Sequence, residues 1–538
     1  MRKAIILLVL LSALPAFAKA PRLTLVITVD ALSTDLLLRM KPKLKGGLAQ
    51  LLSQGAFFPD ARYEYAEVHT AAGHATLATG ANPWRHGIVA NRAVDRATGK
   101  LVATLGDPNH PVLEVPLSET QDASPEQLMA ETVADRLKLS TYGQAKVVSV
   151  SLKARSAITV GGRLGQAWWF SESVGKFVTG TYYAKEFPTW VKAFNDRKPA
   201  HAAFEKSWGL ALPAREYGGA DDRPFETDFH AMGRTFPHPL NGGLPSPGPN
   251  SHYALAGSPF GADLLVQFAR DAIEAEQLGR DDVPDLLAVS FSNTDHIYHA
   301  YGPYSWEMQD TMVRLDKTIG DLVTAAERVV GKGNLLVVLS ADHGGAAIPE
   351  EWAALGLPAA RILEANFGKD LSSALQAQFG APVVAGVEEG GIYLSERVLA
   401  ERKLDGAAVR RAVVAYLAKL PYVAYAVARD DLQDPANLSS YARAARLGYY
   451  PGRSGDVQFV LRPYHILDTG PTGAIHATPY AYDNQVPVIF QGKGVKPGFH
   501  PQRIGTVDVA ATLSALLEIG TPAQAEGSAR PEVFGNGR

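Results

Sequence analysis

Leu335-Leu336-Val337-Val338-Leu339-Ser340-Ala341-Asp342-His343-Gly344-Gly345 opens on an unbroken apolar run and then turns abruptly into an acid, a histidine and two glycines. A short apolar run without alternation is the pattern of a strand buried on both faces, which is the environment of a parallel sheet covered by helices. The same pattern recurs outward from this segment: Leu25 to Val29 before Asp30, Val147 to Val150 before Lys153, and Leu286 to Phe291 before Asp295. Amphipathic helical stretches follow or separate these runs. Met308 to Val330 has apolar residues at Met308, Met312, Leu315, Ile319 and Leu322, and a second stretch covers Val507 to Ile519. This alternation predicts an α/β fold, a doubly wound and mainly parallel sheet flanked by helices. In such sheets ligands bind outside the carboxyl ends of the strands, and that is where each run places its first charged residue.

The remaining chain sets bounds on function. With 538 residues, 46% of them hydrophobic, it can bury a large core. Its 52 basic and 55 acidic residues leave a formal charge of −3, so no basic excess points to a nucleic-acid partner or an anionic membrane. There is no cysteine, which excludes disulfides and thiolate metal sites and leaves His and carboxylates as the only strong metal ligands. Residues 1–20 read as a signal peptide: Arg2 and Lys3, an apolar run from Ala4 to Leu14, and a small-residue exit at Ala16-Phe17-Ala18. A spanning helix needs about 20 apolar residues, and this run stops at Pro15. The expectation is a periplasmic or secreted monomer with no stable membrane anchor. Residues 21–538 are read as one catalytic domain with insertions at about 160–260, rich in aromatics such as Trp168, Trp169 and Trp190, and at about 360–460, both capping the site.

Several residues on this edge can bind metal, though none is decisive alone. Asp295 and His299 stand four apart; on a helical turn both project to one side and can share an ion, while taken singly they read more often as a cap and a surface histidine. Asp342-His343-Gly344-Gly345 suits a loop wrapped tightly on a metal, or a capped strand-to-helix turn. Asp30 alone is better read as an N-cap for a helix starting near Leu32, and His476 alone as a structural or solvated histidine. Together they supply three Asp and three His, enough for two sites, and this mixed nitrogen and oxygen set suits zinc. A nucleophile is offered by Thr70, at the start of a predicted helix whose N-terminus favours anions; the competing role for Thr70 is that of a helix cap.

With these motifs in view the chain resembles the alkaline phosphatase superfamily. The resemblance is carried by Thr70-x-x-Gly73-His74, Thr79-Gly80-x-x-Pro83-x-x-His86-Gly87-Ile88-x-x-Asn91, Asp295-x-x-x-His299, Asp342-His343-Gly344 and His476, in that order. Lys153-Ala154-Arg155 is similar to the Lys-x-Arg pair of the phosphate-irrepressible alkaline phosphatases, which use a threonine nucleophile. The resemblance implies two zinc ions per chain, one held by Asp295, His299 and His476, the other by Asp30, Asp342, His343 and the Thr70 oxygen. It implies that Thr70 attacks a phosphate monoester to form a phosphothreonine, and that Asn91, Lys153 and Arg155 bind the phosphoryl oxygens. It differs from the best-known bacterial alkaline phosphatases, which use Ser, carry disulfides and hold magnesium. Here Lys153 stands in for that magnesium charge, and no magnesium site is expected.

The expected activity is therefore hydrolysis of small phosphate monoesters of broad range, with diester or sulfate turnover as a side activity. The nearest alternative is a phosphodiesterase of the nucleotide pyrophosphatase kind. Lys153 and Arg155 separate the two, because a second cation has less charge to engage on a diester. An alternative of another class, a non-catalytic exported metal-binding protein, would have no need of Thr70.

Overall fold

Leu23–Val29 is buried except at the partly buried Val26, because it occupies the middle of a sheet, paired in parallel with Asp285–Phe291 on one side and Leu335–Ser340 on the other. Asp285–Phe291 pairs in parallel with Val147–Ser151, and that strand with Gln166–Ser171. Lys176–Val178 closes this edge antiparallel. Beyond Leu335–Ser340 the order continues with Gln485–Gly492 and Ala56–Arg62, both antiparallel, and the short Gly498–Phe499 and Ile504–Gly505 join Ala56–Arg62 in parallel. The computed structural model describes residues 20–535 except 97, 118–120, 389 and 434–437. Among these residues the main sheet has ten strands. It is the mainly parallel α/β sheet predicted from the apolar runs. The expected signal peptide lies, but for Ala20, outside the described residues.

Alternate side chains of a strand face opposite sides of the sheet, and here both sides are covered. Leu25, Ile27 and Val29 pack in one core with Leu265 and Phe268 of helix Pro259–Ala275 and with Leu315 and Ile319 of helix Trp306–Val330. On the other face Val26 and Ala288 meet Ala78, Ala134 and Val160 from helices Thr70–Thr79, Val133–Ser140 and Ala154–Gly161. The stretch read as Val507 to Ile519 forms helix Asp508–Leu516. No helix among the described residues is long and apolar enough to cross a membrane.

Two segments lie outside this frame. Within the stretch at about 160–260, Gln166–Ser171 and Lys176–Val178 belong to the main sheet, so the chain leaves the core only after Val178. Trp208, Ala211 and Tyr217 of that excursion converge on the Asp310 carboxylate of helix Trp306–Val330. The stretch at about 360–460 builds its own four-stranded sheet, ordered Val384–Glu388, Gly391–Leu394, Val457–Leu461, Val423–Ala428. Helices Glu364–Phe379 and Gly406–Leu417 cover it, burying Phe367, Leu371, Val409 and Val413. The chain enters and leaves this unit through Ala360–Leu363 and His465–Asp468, which pair in parallel.

One close approach fixes helix Thr70–Thr79 against the sheet edge. A Cβ at Gly73 would lie 2.0 Å from the Asp342 carbonyl oxygen, so the helix sits directly on the turn after Leu335–Ser340. Gly-to-Ala changes on open helical surface stabilise. Gly73→Ala is instead expected to cost about 1–3 kcal/mol through overpacking, measured as a lower urea midpoint; an unchanged midpoint would contradict this contact.

Candidate active site

Reading across the sheet, the four adjacent strands ending at Ser340, Val29, Phe291 and Ser151 deliver Asp342 and His343, then Asp30, then Asp295 and His299, then Lys153. Asp295 and His299 lie on helix Asn293–Tyr301, one turn apart on the same side, with His299 Nε2 3.3 Å from Asp295 Oδ2. His476 enters from a loop after His465–Asp468 and stacks on His343, ring centroids 3.6 Å apart. The helix that Asp30 was free to cap begins at Thr34 and is capped by Ser33, whose Oγ accepts the Leu36 amide at 3.1 Å. The Asp30 carboxylate is therefore left to the site.

Two groups of side chains bring their ligand atoms within 4.8 Å of one another: Asp295, His299 and His476, and Asp30, Asp295 and His343. Asp295 spans both. Its Oδ2 faces His299, and its Oδ1 lies 3.9 Å from His343 Nε2 and 4.0 Å from His476 Nε2. Asp342 flanks the second group, with Oδ2 3.4 Å from His343 Nε2 and Oδ1 accepting from the amides of Ala31 and His343 at 3.3 and 3.1 Å.

The donor set fits metal ions on three grounds. Nδ1 of His299, His343 and His476 each lies 2.8 Å from a backbone carbonyl, of Ala474, Gly344 and Val68 respectively. A carbonyl only accepts, so in the neutral rings Nδ1 holds the proton and the Nε2 lone pair points inward. Asp295 Oδ1 is buried without a hydrogen-bond donor among the described residues, and Asp30 Oδ1 and Asp342 Oδ2 are met only by imidazole nitrogens of His343 and His74 at 3.2 to 3.4 Å, a costly condition that a cation relieves. Finally, the pocket holds three carboxylates and no thiolate, a hard and borderline donor set.

In the protein without ions, charge is balanced by protons. Burial alone would lower His343, but Asp342, Asp30 and Asp295 outweigh it and push the imidazole up to about 10. Asp295 is held well below the usual carboxylate range: burial opposes this, and His299 and Lys153 overcome it. Burial, and then the charge of His343, depress His476. Lys153 Nζ donates to Asp30 Oδ2 at 2.9 Å and makes a closer contact with Asp295 Oδ2. Lys153 thus sits between two candidate ligands.

Thr70 is the first residue of its helix. The N-cap is His69, whose side chain makes no capping bond. The Thr70 hydroxyl is buried and lies 3.5 Å from His343 Nε2, next to the second ligand group. Asn91 accepts the Ala71 amide on Oδ1 at 3.0 Å, which anchors its side chain at the same helix start and makes Nδ2 its donating end. Arg155 is turned by Asp122, whose Oδ2 accepts from Nε at 3.0 Å. Asp122 stands 33 residues upstream and sequence reasoning misses it, because nothing in its loop marks it. Two other motif histidines, His74 and His86, bond the helix and its surroundings, and His74 Nδ1 also lies 3.2 Å from Asp342 Oδ2. His74 bonds the Thr70 carbonyl and Ser290 Oγ at 2.9 and 2.8 Å, and His86 bonds Thr76 and the Ile88 amide, both at 3.1 Å. A cleft of about 260 Å³ opens from His299 and His476 toward the second sheet, past Asn91, Arg92 and Leu461.

Nearly the whole chain is similar to known proteins. Residues 24–474 match the family model for type I phosphodiesterase / nucleotide pyrophosphatase. Alkaline phosphatase PafA of Elizabethkingia meningoseptica is 33% identical over 521 residues, covering 96% of this chain and 95% of that one. Alkaline phosphatase PhoV of Synechococcus elongatus is 33% identical over 523 residues, covering 95% and 92%. The crystal structure of wild-type PafA superposes with a TM-score of 0.88 at 33% identity, covering 96% of this chain and 99% of that one. Murine ectonucleotide pyrophosphatase / phosphodiesterase 5, at 14% identity and a TM-score of 0.54, covers 93% of this chain and 95% of its own and shares the fold alone. The chain belongs to the alkaline phosphatase superfamily, in its PafA-like branch with a threonine at the nucleophile position.

Proposed function

We propose that this chain is an exported phosphate monoester hydrolase, an alkaline phosphatase with two zinc ions that works through a covalent phosphothreonine at Thr70. The observation that carries the reading is the placement of the Thr70 hydroxyl at a helix N-terminus, beside a pair of metal-ligand groups that share Asp295. Asp295, His299 and His476 would hold one ion, and Asp30, Asp342, His343 and Thr70 Oγ1 the other. When bound, two such ions lower the pKa of the threonine hydroxyl and stabilise the departing ester oxygen.

The chain's own groups do the rest. Thr70 Oγ1 forms a bond to phosphorus as the bond to the ester oxygen breaks on the opposite side. Water then displaces Thr70 from the vacated side, so the two inversions give overall retention at phosphorus. Charge in phosphoryl transfer is concentrated on the non-bridging oxygens. The helix N-terminus, Asn91 Nδ2, the Lys153 ammonium and the Arg155 fork are assigned to those oxygens, and Lys153 Nζ keeps its contacts to Asp30 and Asp295 as well. A quadruple variant of PafA replaces one threonine, one asparagine, one lysine and one arginine. Thr70, Asn91, Lys153 and Arg155 are the same residue types at the same separations of 21, 62 and 2 residues, which supports treating them as one functional set.

The family model's description favours a second reading, a phosphodiesterase. The two cations argue for the monoester. A dianionic phosphoryl group can engage both, whereas a diester has one oxygen esterified. A non-catalytic metal-binding role leaves Thr70 without a purpose. The expected extracytoplasmic location rests on the leader-like first twenty residues together with the phosphatase relatives.

Three outcomes test the proposal. The zinc-loaded protein should prefer an aryl phosphate monoester to the matching methyl diester in kcat/KM. Lys153→Ala and Arg155→Ala should each cost about 10- to 150-fold on the monoester, as expected for a hydrogen bond to a charged group, and much less on the diester; diester preference in the unmodified protein would favour the phosphodiesterase. Thr70→Ala should abolish turnover and Thr70→Ser should retain much of it, with acid quenching trapping phosphate on Thr70; a fully active Thr70→Ala would refute the nucleophile. The third concerns pH. His343, at about 10 in the metal-free fold against an ordinary 6.5, contributes stability that is complete below pH 6.5 and is lost as pH rises through 10. Metal-stripped protein should therefore melt at falling temperature across that window, and zinc-loaded protein should not; a flat profile for the stripped form would count against a protonated His343 balancing the buried carboxylates.

A further inference from the structure

Arg361 lies on the short strand Ala360–Leu363 and is itself no candidate ligand, yet its side chain is only 5% exposed. Its guanidinium grips Glu350 in a two-point contact, Nε to Oε1 at 2.9 Å and Nη2 to Oε2 at 3.0 Å. On its other side Nη1 contacts Asp468 Oδ2 and donates to the Thr472 carbonyl at 3.3 Å, and Nη2 donates to the Gly473 carbonyl at 2.6 Å. Glu350 follows the Asp342-His343 turn in the chain, and Thr472-Gly473 leads to His476. One buried cation thus joins the segment leaving one ligand group to the segment that builds the other.

The loop it holds bonds His299 directly and leads into His476, whose own Nδ1 is held by the Val68 carbonyl. Ala474 and His299 exchange two bonds, the Ala474 amide to the His299 carbonyl at 2.9 Å and His299 Nδ1 to the Ala474 carbonyl at 2.8 Å. Gly473 adopts φ +82°, and a Cβ there would lie 2.2 Å from the His299 carbonyl oxygen, so the loop rests on the backbone of that helix. The Gly473 amide is held by the Phe225 carbonyl at 2.8 Å, and Thr472 Oγ1 meets Thr227 Oγ1 at 2.9 Å. The loop lies in neither helix nor strand, so these cross-chain bonds supply its shape.

We infer that Arg361 is a positioning residue for the ion held by Asp295, His299 and His476, fixing the Thr472–Ala474 backbone that bonds His299 and leads into His476. The inference rests on the proposal that these residues bind zinc. Lysine keeps the charge but lacks the planar fork that serves two carboxylates and two carbonyls at once. Outer-shell partners of metal ligands typically contribute about 10- to 100-fold in affinity.

The test is zinc content per chain through a graded chelator titration of the full protein, compared for wild type, Arg361→Lys and Glu350→Gln, with thermal melts of the stripped forms alongside. Arg361→Lys should release one of two ions at about 10- to 100-fold lower chelator strength and keep the other at the wild-type midpoint. Its kcat should recover with excess zinc at unchanged KM. Glu350→Gln, which keeps shape and acceptors but loses charge, should fall between. Two ions released at wild-type midpoints from Arg361→Lys would overturn the inference, and so, if that variant fails to fold, would a wild-type midpoint for Glu350→Gln. Wild type that binds fewer than two ions would instead defeat the zinc proposal itself.

Discussion

Three carboxylates, Asp30, Asp295 and Asp342, are driven together and buried at the carboxyl edge of one sheet, and the rest of the site depends on how that charge is compensated. Like charges at such range in a low dielectric repel strongly. The fold answers with Lys153 against two of them and with protonated His343 among all three. Those cations do not satisfy every oxygen, since Asp295 Oδ1 has no donor among the described residues. A site with this residual demand is one that metal ions can enter by displacing protons.

The same constraint explains the second layer. The bond made by a histidine's other nitrogen sets which nitrogen can face a metal, and here three backbone carbonyls at 2.8 Å set it for all three rings. Those carbonyls belong to the segment before Thr70, the turn of His343 itself, and the loop before His476. The packing of helix Thr70–Thr79 at Gly73 and the seating of Gly473 on His299 are therefore part of ligand geometry. Glycine at both places is a steric requirement, and at Gly473 a conformational one as well.

How far the primary structure could be read depended on whether a signal was local. The strands were legible because each apolar run is bounded by polar residues, and Asp295 with His299 because one helical turn separates them. Thr70 can be read as a cap from sequence, whereas it is the first helical residue and the N-cap position falls on His69, whose side chain makes no capping bond. The excursion at about 160–260 was harder to delimit, since Gln166–Ser171 and Lys176–Val178 form the sheet edge while sharing their aromatic composition with the residues beyond Val178. Asp122 and Arg361 carried no signal at all. Each acts through long-range contacts, and an isolated acid or arginine in a loop or edge strand has no periodicity to betray it.

By itself, then, the sequence determined the fold class, the edge of the sheet where chemistry is possible and the residue types available there, because strand burial and ligand chemistry are properties of short segments. Only the tertiary structure decided that Asp295 faces both ligand groups, that Lys153 bridges two acids, and that Arg361 ties the loop before His476 to the segment after His343. Those are relations between segments separated by a hundred residues or more in most cases, and their distances are set by sheet order and helix packing, which no local pattern encodes.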